Sequence, residues 1–118
     1  MVSLDVRSIA AICHETNRAY CATIGDLSQQ RWQDAPEWQQ ISAVKGVEFV
    51  IANPGSPPSA SHDSWLDEKR RTGWRFGEVK NPETKEHPCF VPYDELPANQ
   101  RRKDRLFGAV VRAMILPE

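Results

Sequence analysis

The chain has 118 residues, of which 40% are hydrophobic and 26% are charged, and its formal net charge is −1. This length suits one domain with a single core, and the composition is ordinary for a globular protein. The small net charge argues against a dedicated nucleic-acid binder, and no apolar run approaches the ~18 residues that would cross a membrane.

The three cysteines and the start of the chain indicate a cytoplasmic protein. Cys13 and Cys21 are predicted to lie on one helix, about two turns apart, which is too far for a disulfide. Residues 1–7 lack the basic start and apolar run of a secretory signal. We therefore expect free thiols in a reducing compartment.

A first helix is predicted from apolar residues that recur at steps of three and four. Asp5 or Ser3 can cap its start, and Gly25 ends it after about 20 residues. Its apolar positions are Ile9, Ile12, Cys13, Thr16, Tyr20 and Ile24.

A second helix is predicted after Asp34, which would be its cap, with Pro36 in the first turn and Glu37 at the capping-box position. Its apolar face carries Trp38, Ile41, Val44 and Phe49. A glycine at position 46 makes the helix roughly 1 kcal/mol less stable than an alanine would. A close crossing with another helix would explain why a glycine is present there. Residues 53–58 form a linker rich in Pro and Gly.

The stretch from residue 62 to residue 97 is predicted to form a helix followed by a β-hairpin. Ser59 or Ser61 would cap the helix, and Gly73 would end it in the left-handed conformation. Residues 74–79 alternate between apolar and polar side chains, residues 81–84 have turn chemistry, and residues 89–91 form a short return strand. Trp65 and Trp74 are expected to be largely buried at the junction.

A final helix is predicted to begin at Asp94 or at Leu96-Pro97 and to stop at Pro117. Its apolar stripe consists of Leu106, Phe107, Val110 and Met114, and its basic residues lie mostly off that stripe. The fold class is therefore mainly α (α+β), with about four helices and one β-hairpin in a single compact domain.

The central stretch resembles the RyR domain, the repeat of ryanodine receptors that also occurs as a free-standing module in bacteria and phages. The resemblance covers roughly residues 58–115. It is carried by His62, Trp65, Lys69, Gly73-Trp74, Phe76-Gly77, Lys85, His87-Pro88-Cys89, Val91-Pro92-Tyr93, Leu96 and Asp104-Arg105. Phe76 stands where the family usually has Tyr, and Gln100-Arg101 where it usually has Glu-Lys.

The resemblance implies a division of the chain and a binding function. Residues 58–116 would be the RyR-like part, and residues 1–55 a helical N-terminal extension packed on it. Members of the family have been suggested to sense or contact nucleotides, so the resemblance implies a non-enzymatic sensor module of the free-standing bacterial or phage type.

A ligand site beside the central stretch is expected from its aromatic and basic side chains. Trp65 and Lys69 are one turn apart and share a helix face, and Gly73 could return the following residues to that face. An aromatic ring can stack on a planar ligand, and Arg or Lys can bind an anionic group. The candidate residues are Trp65, Lys69, Arg70, Trp74, Arg75 and Tyr93.

Two other functions stay open from the sequence. One is a protein-interaction or self-association module without a small ligand. The other is a small hydrolase or nuclease that uses His62 and nearby carboxylates, which would need a solvent-open His/Asp pair. His87 and Cys89 form a poor metal site because no second pair has a recognised spacing. We therefore expect no catalytic residue, metal or cofactor.

Overall fold

Four α-helices make up most of the computed structural model, which describes residues 5–115. They are α1 (Val6–Thr23), α2 (Glu37–Ala52), α3 (Pro58–Arg71) and α4 (Ala98–Ile115). Single 3₁₀ turns at Trp32–Asp34 and Tyr93–Glu95 precede α2 and α4. The prediction of a mainly helical fold with four helices is confirmed.

The ends of α1 and α3 follow the predicted local chemistry. The Asp5 carboxylate accepts the Ser8 N–H at 2.8 Å, which satisfies one free donor of the first turn of α1. Gly25 and Gly73 follow α1 and α3 with φ of 84° and 90°, a conformation that is costly for a residue with a side chain. The alternative cap Ser3 and the predicted stop Pro117 lie outside the described residues.

Two predicted helix starts are wrong. Asp34 does not cap α2; it ends a 3₁₀ turn and pairs with Arg31 at 2.9 Å, while Pro36 occupies the cap position without a side-chain hydrogen bond. Helix α3 begins at Pro58, so Ser59 and Ser61 lie inside it. Pro58 suits the first helical position because its fixed φ is helical and no N–H is needed there.

The predicted β-hairpin is wrong in its pairing direction. The two strands, β1 (Arg75–Phe76) and β2 (Glu86–His87), are parallel, with Arg75 opposite Glu86. The connecting chain reverses twice: Asn81 pairs with Glu86 in an antiparallel bridge, and Lys85 then turns with φ of 57°. The predicted return strand at residues 89–91 is an irregular segment instead.

Gly77 permits the close approach of the two strands. A Cβ atom added at Gly77 would lie 2.6 Å from Cβ of Glu86, a distance that no side chain tolerates. Glycine is therefore required where the chain leaves β1.

Helices α1, α2 and α4 share the buried core. Its fully packed members are Ile9, Ala10, Cys13, Val47, Val50 and Val111. Gly46 of α2 lies against the ring of Phe107 in α4. The two helices therefore cross closely at this glycine, as the sequence predicts. The first two helices and the last one are thus parts of one packed unit, and α3 borders it through contacts with α2 and α4.

Candidate functional site

A cavity of about 720 Å³ lies between the four helices. Its wall is built by residues of α1, the connection from α1 to α2, α2, α3, the segment around β2 and α4. Residues on both sides of the linker therefore contribute to it. A volume of this size falls within the ~300–1,000 Å³ that small-molecule sites occupy.

Lys69 is a buried cation on the wall of this cavity. Only 4% of its surface is exposed, and its Nζ atom lies 5.0 Å from the ring centroid of Trp38 and 5.2 Å from that of Trp74. Burial lowers the pKa of Lys69 from its usual value. The faces of the two indoles attract the cation. The negative charge of Glu68 opposes the lowering of the pKa, but Lys69 forms no ion pair within residues 5–115, as a buried ammonium group ordinarily would.

Trp38 connects this cation to the first half of the chain. Its ring packs on Trp74 with centroids 5.3 Å apart and planes inclined by 49°. Lys80, from the loop between β1 and β2, places its Nζ atom 5.4 Å from the same Trp38 ring. One indole of α2 is therefore in contact with two cations and a second indole.

His62 and Trp65 form an aromatic group on another part of the wall, and Tyr93 packs behind it. His62 is 4% exposed and stacks on Trp65 with centroids 5.6 Å apart and planes inclined by 20°. Its Nε2 atom lies 2.7 Å from the carbonyl oxygen of Val91, so Nε2–H donates to that carbonyl. Tyr93 packs against the same imidazole at 6.1 Å.

Asp104 faces His62 from α4. Its Oδ2 atom lies 3.9 Å from Nδ1 of His62 and has no hydrogen-bond partner within residues 5–115. Burial raises the pKa of Asp104 to about 6, although His62 and Lys103 oppose that rise. His62 is thus a packed, hydrogen-bonded side chain, which differs from the solvent-open His/Asp pair that a hydrolase would need.

His87 serves a structural hydrogen bond where β2 ends. Its Nδ1 atom accepts the N–H of Cys89 at 3.0 Å, and its ring meets Trp65 edge-on at 5.0 Å. Burial, together with the charges of Lys80, Lys69 and Lys103, lowers the pKa of His87 to about 4. The imidazole is therefore neutral at physiological pH. Within residues 5–115, no group of three His, Cys, Asp or Glu side chains could hold a metal ion.

The six residues predicted from the sequence are only partly brought together. Trp65 and Lys69 line the cavity, and Trp74, which is 9% exposed, supports Lys69 without lining it. The expected burial is thus found for Trp74, whereas Trp65 is half-buried.

The remaining three predicted residues do not line the cavity. Arg70 lies over the Phe90 ring at 5.6 Å, Tyr93 packs behind His62, and Arg75 is exposed. Phe76 is also outside the cavity and 52% exposed, so the missing Tyr hydroxyl at that position does not affect this site.

Three residues of the site were missed by the sequence prediction: Trp38, Lys80 and Lys103. The sequence places Trp38 on the apolar face of the second helix and the basic residues of the last helix, which include Lys103, mostly off its apolar stripe. Each lies far from Lys69 along the chain, and a helix pattern says which face is apolar but not which distant face it meets. The feature of the sequence that could have pointed to this part of the site is a large aromatic residue in the first turn of α2.

The fold and the cavity define a small helical module with a half-open site that is both aromatic and cationic. Residues 58–115 match the family model of the RyR domain, and the chain belongs to the RyR-domain family through this segment. The resemblance stated from the sequence is thereby confirmed. Within residues 5–115, no helix combines the length and apolar character that crossing a membrane requires.

Proposed function

We propose that the protein is a non-enzymatic binding module whose cavity takes a small anionic ligand with a planar ring, of the nucleotide-derived class. The observation that carries the proposal is Lys69, a buried ammonium group held against two indoles at a cavity wall, without a hydrogen bond or ion pair within residues 5–115.

Lys69 has no ion pair within residues 5–115 that would offset the cost of its burial. Removing a charged group from water costs several kcal/mol unless an ion or hydrogen-bond partner compensates. Cation–π contacts return only about 0.5–2 kcal/mol. An anionic ligand in the cavity would supply the remaining compensation, which makes Lys69 a site for such a ligand.

The aromatic part of the ligand would be bound by the half-buried rings on the wall. Trp38 and Trp65 both line the cavity, on α2 and α3. Stacking a base on such a ring contributes about 1–3 kcal/mol. A charge-assisted contact between Lys69 and the anionic group would add to this contribution.

Isothermal titration calorimetry with a panel of nucleotides and dinucleotides tests the proposal. We expect at least one member to bind the wild-type protein, and Lys69→Met to abolish that binding. Arg75→Met is the matched control because it removes the same charge from an exposed residue outside the cavity. If no member binds, or if Lys69→Met binds as well as Arg75→Met does, the proposal fails.

A protein-binding role is the second candidate, favoured by exposed apolar side chains near β1. Phe76 is 52% exposed and Val79 is 77% exposed. A contiguous patch of exposed apolar side chains can serve as a contact surface. If Phe76→Ser with Val79→Ser changes the mass measured by light scattering, the wild-type protein self-associates through this surface; an unchanged monomer mass contradicts self-association there.

A further inference from the structure

The lysines of this chain fall into two groups. Of the five lysines in the sequence, Lys45 pairs with Glu68 at 3.7 Å, and Lys85 donates to the carbonyl of Thr72 at 2.8 Å. The other three have no hydrogen bond or ion pair within residues 5–115. All three of these, Lys69, Lys80 and Lys103, line the cavity.

Two of the unpaired cations meet at one ring. The Nζ atoms of Lys69 and Lys80 lie 5.0 and 5.4 Å from the centroid of Trp38. Their charges repel each other, and the charge of Lys80 contributes to lowering the pKa of Lys69. An anion that contacts both ammonium groups would relieve this repulsion.

Two carboxylates, Asp26 and Asp104, line the cavity with these three cations. Asp26 accepts the N–H and O–H of Ser28 at 2.9 and 2.6 Å, and its negative charge acts on Lys80 and Lys103 without forming an ion pair within residues 5–115. Asp104 lies beside His62, and burial raises its pKa to about 6, so it still carries most of its negative charge at pH 7. The three lysines therefore outnumber the two carboxylates of the wall by one.

We propose that the ligand is a diphosphate, or a compound with at least two neighbouring phosphate charges, whose phosphates lie between Lys69 and Lys80 beside Trp38. Lys103 is the third cation of this phosphate site. The inference rests on the proposed function because it uses the same cavity. It also makes α2, which precedes the family-matched residues, a part of the binding site.

The chemistry of the three side chains suits this ligand class. Lysine is a compact point charge on a flexible stem, and it binds phosphate oxygens without the fixed planar geometry of Arg. Three flexible stems from α3, the β1–β2 loop and α4 can adjust to two linked phosphate groups. A ligand with one negative charge could neutralise only one of Lys69 and Lys80.

Calorimetric titration with inorganic pyrophosphate and inorganic phosphate tests the inference. We expect pyrophosphate to bind at least about tenfold more tightly than phosphate, and its affinity to fall as the NaCl concentration rises. Lys80→Met should weaken pyrophosphate binding about tenfold, while Arg75→Met should leave it unchanged. Lys80 is exposed, so its replacement leaves the core intact, and circular dichroism melting checks this.

The inference is overturned if pyrophosphate binds no more tightly than phosphate, or if Lys80→Met and Arg75→Met bind it equally. A nucleoside with zero, one or two phosphates separates this failure from failure of the proposed function. Binding that needs Lys69 but ignores phosphate number overturns the inference alone. Pyrophosphate binding that needs Lys80, without any nucleotide binding, overturns only the nucleotide part of the proposed function. Absence of all binding overturns both.

Discussion

The indole of Trp38 packs on the indole of Trp74 with ring centroids 5.3 Å apart. Trp38 precedes the family-matched residues, and Trp74 lies within them. This contact therefore fixes α2 against the RyR domain and holds the cation of Lys69 beside both rings. Helices α1 and α2 therefore lie beside the site and also contribute residues to the cavity wall.

Truncating Trp74 should destabilise the fold strongly. Trp74 is 9% exposed and supports Trp38, Lys69 and His87. Trp74→Ala should cost about 3–5 kcal/mol in the free energy of unfolding, measured by chemical denaturation. Trp65→Ala is the comparison, and it should cost less because the half-buried Trp65 leaves a gap that opens into the cavity. Equal losses would contradict this account of the two rings.

Gly46→Ala should destabilise the crossing of α2 and α4. The added Cβ atom would lie 3.0 Å from Cζ of Phe107, so this half-buried ring must shift by a few tenths of an ångström. The gain in helix propensity, roughly 1 kcal/mol, opposes an overpacking cost of about 1–3 kcal/mol. We expect a net loss of about 1 kcal/mol by chemical denaturation.

The double variant Gly46→Ala with Phe107→Leu tests the cause of that loss. If the Phe107 ring is responsible, the added methyl group should cost less in the Phe107→Leu background than in the wild type. Strict additivity of the two substitutions would show that the loss arises elsewhere.

The helices could be predicted from the sequence because their signals are local. Asp5, Gly25 and Gly73 act within one turn of the helix ends that they define. The pairing of β1 and β2 could not be predicted, since it depends on the double reversal at Asn81 and Lys85. A two-residue strand also carries no period from which its direction could be read.

The site was predictable only where it lies on a single element. Trp65 and Lys69 are four residues apart on α3, so their shared helix face follows from the sequence. Trp38 and Lys80 join them through tertiary packing of α2 and through the path of the β1–β2 loop. Arg75 was placed by assuming a hairpin, and the parallel pairing puts its side chain in solvent instead.

Lys69→Met should leave stability nearly unchanged. The substitution loses two cation–π contacts but also removes the cost of keeping an ammonium group out of water. We expect the free energy of unfolding to change by less than about 1 kcal/mol in ligand-free protein, measured by urea denaturation. A loss of about 3 kcal/mol or more would instead assign Lys69 a structural role and weaken the binding proposal.

The pH dependence of stability should contain two opposing contributions, from His87 and Asp104. Burial lowers the pKa of His87 from 6.5 to about 4. The contribution of His87 to the free energy of unfolding is therefore present above pH 6.5 and is lost as the pH falls toward 4. Burial raises the pKa of Asp104 from 3.8 to about 6, so its contribution is present below pH 3.8 and is lost as the pH rises through 6. Each contribution is about 1–3 kcal/mol.

Single substitutions should reveal each contribution because the two oppose each other in the wild type. Relative to wild type, Asp104→Asn should gain stability as the pH rises from 4 to 7, since its amide cannot ionise. His87→Asn, which can still accept the Cys89 N–H, should gain relative stability as the pH falls from 6.5 to 4. Urea denaturation at several pH values measures both differences. Parallel pH profiles for wild type and Asp104→Asn would mean that Asp104 titrates alike in the folded and unfolded chains, which its burial beside His62 does not allow.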